Sequence, residues 1–302
     1  MSTSIESSNI PEPTHTGKVR DTYDLGNGYL LMVASDRISA YDVVLPTKVP
    51  YKGLILSKLS EYWFNNTNHI IPNHFICLGD DKSKISTIDT KLPFETFSQD
   101  ILSRGMVVKR ADRIDIECVI RGYITGSAWS EYQKTGTVSG MNMPIGMKEG
   151  DPFQEPLFTP TTKAETGHDL PMTRQDVRDA VGDELANRLE RVTTDVYMYA
   201  HNQCKSKGII VADTKMEFGI IESELTLIDE LITPDSSRFW DKELYLPGKS
   251  QPNFDKQYVR DWLTESEWDK EPPGPELPIE VVNKTLDRYI EAYERITGKS
   301  WS

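Results

Sequence analysis

Apolar residues recur along this chain at two spacings, and the changes from one to the other delimit its elements. The run KVRDTYDL (18–25), the turn Gly26-Asn27-Gly28 and the run YLLMVA (29–34) predict a β-hairpin, with turn residues where positive φ is needed. Ile55, Leu59, Tyr62 and Trp63 share one helical face, which predicts a helix over 53–66. Between His69 and Ser103 the pattern weakens into a polar, proline-punctuated stretch without a clear element. MVVKR (106–110) and IDIECVIRGYI (114–124) read as strands, with Ala111-Asp112-Arg113 between them as a hinge. A loop rich in Pro and Thr (155–169) leads into a long helix on which Leu185, Leu189, Val192, Val196 and Tyr199 keep one face, capped by Gly208. GIIVADTKMEF (208–218) and LTLIDELI (225–232) predict a second hairpin. The tail carries an amphipathic segment at 254–263, a linker at 271–278 and a closing helix with Val282, Leu286, Tyr289, Ile290, Tyr293 and Ile296 on one side. Clustered strands with helices set apart from them predict an α+β architecture, with a β-rich lobe over 1–116 and a larger lobe over 117–302.

The strand that starts at Gly208 carries the first chemical signal. Asp213, Lys215 and Glu217 alternate with Thr214, Met216 and Phe218, so a pleated strand puts three charges on one face. The preceding GIIVA predicts burial on both faces, and charges emerging at the end of a buried strand line a cleft. Asp229 follows LTLI on the next strand and brings another carboxylate beside them. Such a set suits Mg²⁺ held against a phosphate chain, because magnesium takes one or two protein carboxylates plus phosphate oxygens. The lysine would offset charge on a transferring phosphoryl group. A solvated sheet face is the competing reading.

Composition narrows the choice. With 37% hydrophobic and 27% charged residues the chain is that of a globular protein. Its net charge of −13 argues against nucleic-acid or membrane-surface binding, since both would repel it. The opening MSTSIESSNIPEP has neither the basic nor the apolar region of a signal peptide, and no apolar run is long enough to span a bilayer. Cys77, Cys118 and Cys204 are widely separated, and the five histidines do not cluster with them, so free thiols in the cytoplasm are expected and structural zinc is not.

Further segments have the composition of anion sites. Gly17-Lys18 fails the P-loop pattern, with Glu12 and Val19 at the wrong places, yet a glycine-plus-basic loop with Lys18 and Arg20 on one strand face could cover a triphosphate. In IRGYITGSAWSEY (120–132), Gly126 and Ser127 fall at a helix N-terminus, with Arg121 able to grip phosphate in bidentate fashion. Ser127 as a plain N-cap explains the same residues. TPDSSRFW (233–240) repeats the arrangement, with Ser236 and Ser237 before a helical turn and then Arg238. In ASDRISAYD (34–42), Asp36, Ser39 and their neighbours form a polar turn that could hold a zwitterion.

Taken in order, GKVRDTY, ASDRISAYDVVLP, IECVIRGYITGSAW, VADTKMEFG, LIDE, TPDSSRFW and FDKQYVRDW resemble the SAICAR synthetases, in their longer, fungal-type, monofunctional form. The resemblance runs from residue 17 to 262. It implies a two-lobed fold with a larger ATP-grasp or kinase-like C-terminal lobe; a monomer is expected beside it, with an oligomer left open. It also implies a ligase of purine biosynthesis: ATP phosphorylates the carboxylate of carboxyaminoimidazole ribonucleotide (CAIR), and the amine of L-aspartate displaces phosphate. By the same resemblance Gly17, Lys18, Arg20 and Lys163 face ATP, while Glu217 and Asp229 hold Mg²⁺. Arg121, Ser127, Ser237 and Arg238 hold the CAIR phosphate, and Asp213 and Lys215 face its imidazole carboxylate. Asp36, Ser39, Lys256 and Gln257 fall to aspartate, with Asp36 as the candidate base. The Asp213-x-Lys215 pattern followed by Asp229 is also similar to inositol polyphosphate kinases, the alternative reading. Glu217, ASDRISAYD and FDKQ have no evident job there.

Overall fold

The computed structural model of the chain describes residues 11–163, 169–249, 251, 253–254 and 256–301; the side chain of Gln257 is outside it. The first part builds a five-stranded antiparallel sheet. It begins with β1 (His15–Thr16), β2 (Arg20–Gly26) and β3 (Tyr29–Ala34), followed by the small hairpin β4 (Arg37–Ala40) and β5 (Val43–Lys48). Helix α1 (Lys52–Thr67) comes next, then β6 (Phe75–Leu78), α2 (Lys82–Ile85), α3 (Gln99–Ser103) and β7 (Gly105–Lys109). The sheet order is β1-β2-β3-β7-β6. Gly26, Asn27 and Gly28 all take positive φ, so the predicted hairpin turn forms where the residues tolerate it. The stretch 69–103, without clear periodicity, holds one short strand and short helical turns whose packing is set by neighbours.

The second part starts with β8 (Asp112–Arg113), which pairs with Gly219 and Ile220. The segment read as a hinge is therefore held in a sheet. Next come β9 (Ile116–Tyr123), α4 (Gly126–Thr135), β10 (Thr137–Val138), β11 (Met141–Asn142), β12 (Pro152–Phe158) and β13 (Thr161–Thr162). Strands β12 and β13 both pair with β9, so much of the predicted Pro/Thr loop is extended sheet. Helices α5 (Arg174–Val181) and α6 (Asp183–Ser206) lead to β14 (Ile209–Ile221), β15 (Glu224–Ile228) and β16 (Ser237–Asp241), and α7 (Gln257–Glu265) and α8 (Ile279–Thr297) close the chain. The run after Ser236 is thus a strand paired with β14, where a helical turn was expected. Phe239 and Trp240 need burial on a sheet, which a free helical turn would not supply.

One core joins both sheets. Leu56, Leu59 and Trp63 of α1 belong to the same buried cluster as Cys118, Val211, Phe218 and Tyr289. Helix α8 packs against α1, α6 and α7. Gly122 is required for close approach: a Cβ there would stand 2.0 Å from the Tyr197 hydroxyl, which donates to the Val211 carbonyl at 2.8 Å. Burial pushes the three thiols up, to about 11 for Cys77 and about 12 for Cys118 and Cys204. Among the described residues no helix is long and apolar enough to cross a membrane.

Candidate active site

Strand β14 is the spine of the site. Its register sets Asp213 opposite Arg121 on β9, and directly opposed residues project to the same face. Arg121 Nη1 donates to Asp213 Oδ2 at 2.8 Å, and Arg238 from β16 donates to the same oxygen. Arg121 also donates to Thr159 Oγ1 at 3.0 Å and to Ser127 Oγ at 3.1 Å. Burial pulls the Arg121 pKa down, against the pull of Asp213. Arg121, Ser127 and Thr159 line a cavity of about 610 Å³ beside α4. Ser237 turns its hydroxyl to Thr214 Oγ1 at 2.8 Å.

Further along β14, Lys215 Nζ donates to Glu217 Oε1 at 2.7 Å and lies 3.3 Å from Glu117 and 3.7 Å from Asp229. Lys163 bridges Glu117 at 3.0 Å and Glu217 at 2.7 Å. Arg20 pairs with Asp229 and, at 2.9 Å, with Glu230. Arg20, Lys163 and Lys215 thus face Glu117, Glu217, Asp229 and Glu230, which leaves a formal negative excess in the cluster. Burial opposes the charge on Lys215, but Glu217, Asp229 and Glu117 outweigh it and hold its pKa well above the ordinary lysine range. Burial likewise opposes ionisation of Asp229, yet Arg20, then Lys215 and Lys163, keep its carboxyl well below the usual range. At neutral pH Lys215 is therefore a cation and a stabiliser of negative charge, not a base.

Glu217 and Asp229 converge on the same ammonium. Among the described residues no three His, Cys, Asp or Glu side chains group to hold a metal. Two carboxylates in a cluster with negative excess fit an ion that arrives with a nucleotide and keeps phosphate and water ligands.

A third group is buried behind the turn that precedes β16. Asp235 accepts from Lys52 Nζ at 2.5 Å and from the Tyr289 hydroxyl at 2.7 Å, and Lys256 Nζ lies 3.2 Å away. Burial pulls the Lys52 pKa down, while Lys256 and Lys52 outweigh burial to hold the Asp235 carboxyl well below its usual range. The turn links this group to the other two. Thr233 Oγ1 donates to Glu230 at 2.8 Å, and the Lys215 amide donates to the Ser236 carbonyl at 2.9 Å.

His74 fixes the backbone of Asp229, whose φ of 69° lies in the left-handed region. Its Nε2 stands 3.3 Å from the Asp229 carbonyl, which can only accept, so this nitrogen carries the proton. Burial pushes the His74 pKa down to about 4. The unfolded chain binds the proton near pH 6.5 and the native chain only near 4, so stability is complete above 6.5 and is lost as pH falls through this window. The loss is expected to be on the order of 3 kcal/mol. Urea denaturation at about pH 7 and about pH 4.5 measures it, and His74→Gln, which can still donate, should flatten the difference. An unchanged difference in that variant would assign the acid sensitivity to other groups.

The expected Lys18–Arg20 pair does not share a strand face. Lys18 precedes β2 in an exposed turn and meets Asp42 at 2.6 Å, while Arg20 turns inward. Gly17 closes that turn by donating to the Arg20 carbonyl at 2.7 Å. Asp36 Oδ1 accepts from the Gly53 amide at 2.9 Å, at the start of α1. Ser39 lies on β4 opposite Val44. Gln257 is the first residue of α7, and its side chain lies outside those described.

The family model for SAICAR synthetase matches residues 13–275, most of the chain. The chain belongs to the SAICAR synthetase family. A phosphoribosylaminoimidazole-succinocarboxamide synthase of Salinispora arenicola is 48% identical over 96% of this chain and 99% of its own. One from Maridesulfovibrio salexigens is 46% identical over 93% and 92%. The solved SAICAR synthase of Saccharomyces cerevisiae, complexed with SAICAR, superposes with a TM-score of 0.88 at 41% identity, covering 100% of this chain and 99% of that one. The kinase alternative is not favoured, because the SAICAR synthetase likeness spans segments that a kinase reading leaves idle.

Sequence reasoning missed Glu117, Glu230, Lys52, Asp235 and His74 in this SAICAR synthetase. Glu117 had a usable signal, since Glu117, Val119 and Arg121 alternate on the strand that carries Arg121. Lys52 and His74 had none, because neither lies near another charged motif in the chain.

Proposed function

We propose that this SAICAR synthetase joins CAIR to L-aspartate with ATP, giving SAICAR, ADP and phosphate in purine biosynthesis, and that the three side-chain groups divide the substrates among them. The single observation that carries the division is the spine: one strand presents Asp213 with its arginines at one point and the Lys215 cluster two residues on. Arg121, Ser127 and Arg238 take the CAIR phosphate at the mouth of the cavity. Lys215 and Lys163 take the reacting carboxylate and the ATP phosphates, with Arg20 fixing Asp229. Glu217 and Asp229 would hold Mg²⁺, which supplies charge neutralisation to the nucleotide phosphates. Lys256 takes a carboxylate of aspartate.

The chemistry follows from carboxylate activation. A CAIR carboxylate oxygen attacks the γ-phosphorus, the bond to the ADP oxygen breaks, and an acyl phosphate forms. The aspartate amine, having lost a proton, attacks the acyl carbon, and phosphate leaves with its bonding pair. Cationic Lys215 stabilises the charge that develops on the oxygens in both steps, and burial on β14 holds it there without reorganisation. Asp36 remains the candidate for the amine proton. One of its oxygens caps α1, and the other is available for that role. The buried thiols suit the cytoplasm.

Purified protein with Mg-ATP and CAIR, assayed with and without L-aspartate, tests the function. ADP release that needs both substrates, with a new product of the succinocarboxamide mass, is expected. ADP formed equally without CAIR would overturn the assignment.

A further inference from the structure

The Lys52–Asp235–Lys256 group holds two ammonium ions and a single carboxylate, all largely buried, and a residue of the C-terminal helix completes it. Tyr289 on α8 is fully buried, and its hydroxyl donates to Asp235 Oδ1 at 2.7 Å. The same oxygen receives Lys256 at the looser distance of 3.2 Å, while Oδ2 is occupied by Lys52 at 2.5 Å. The Lys52 ammonium also lies 5.9 Å from the centre of the Tyr289 ring. The region matched by the family model ends at residue 275, before α8 begins.

We propose that Tyr289 is a positioning residue: by satisfying Asp235 Oδ1 it keeps Lys256 from closing onto that carboxylate and leaves its ammonium directed at the aspartate substrate. This rests on the reading that Lys256 binds aspartate. The physical reason is competition for one oxygen. A buried carboxylate oxygen needs its hydrogen bonds. With the hydroxyl gone, the nearest remaining donor to that oxygen among the described residues is Lys256, which then pairs inward and presents less charge to a ligand. Lys52 cannot take over, because it is fully buried on the other oxygen. The C-terminal helix thereby becomes part of substrate recognition, although its hydroxyl does not touch the substrate.

Tyr289→Phe keeps the ring and removes only the donor. The expected result is an aspartate KM raised about ten-fold, the order of one lost hydrogen bond to a charged group. KM for CAIR and ATP, and the thermal midpoint, should stay near those of the unmodified enzyme. In an Asp235→Asn background, where no carboxylate remains for Lys256 to close onto, adding Tyr289→Phe should leave the aspartate KM unchanged, because the hydroxyl acts through that carboxylate. Lys256→Met separates the two ideas. If it raises the aspartate KM while Tyr289→Phe leaves it unchanged, or raises all three KM values alike, the positioning role is overturned and the aspartate assignment stands. An aspartate KM untouched by Lys256→Met overturns the assignment and this inference together. Product analysis of the unmodified enzyme tests the overall reaction separately.

Discussion

Replacing Asp213 with Ala is expected to destabilise the protein by about 3–5 kcal/mol, the usual cost of removing one partner from a buried charge pair. The side chain of Asp213 is 6% exposed and that of Arg121 10%, so water entering from the cavity replaces the lost carboxylate only in part. Arg238 donates to the same Asp213 oxygen, so both guanidinium groups lose that partner. Denaturation in urea would measure the loss. If this is where a substrate phosphate binds, inorganic phosphate should restore part of the stability of the variant, because a ligand of the native state stabilises by mass action. A loss below about 1 kcal/mol, typical of a surface ion pair, would mean that the arginines are not dependent on Asp213.

Lys215→Met is expected to lower kcat/KM by about 10²–10³-fold, as for loss of a preorganised donor at a developing oxyanion. The change removes the ammonium that touches Glu217 and approaches Glu117 and Asp229. Lys163 still pairs with Glu117 and Glu217, and Arg20 still holds Asp229, so folding should suffer less than catalysis. Initial rates of ADP formation, with CAIR and aspartate both present, give the comparison. A variant retaining kcat/KM within about two-fold would remove Lys215 from the chemistry and leave it as a structural counter-ion.

Strand and helix positions were legible where a local period existed. The hairpin around Gly26-Asn27-Gly28, the helix predicted over 53–66 and found at Lys52–Thr67, and the long helix before Gly208 follow from spacing and turn chemistry within a few residues. The alternation of Asp213, Lys215 and Glu217 was legible for the same reason, since a strand fixes facing by parity alone. Misreadings fell where a segment takes its structure from a distant partner. Residues 112–113 are extended because β14 pairs with them, and 237–241 because β14 accepts them on its other edge. Nothing inside either segment carries that information.

The sequence by itself determined the elements with regular period, the charged face of the strand from Gly208, and, through its ordered motifs, the family. Tertiary structure alone decided which charges meet. Arg20 reaches Asp229 across 209 positions of chain, Lys52 reaches Asp235 across 183, and Tyr289 reaches it across 54. Local spacing sets the direction in which a side chain leaves its own element. Which side chain it finds there depends on how whole elements pack, and that is settled by burial of apolar surface throughout the chain.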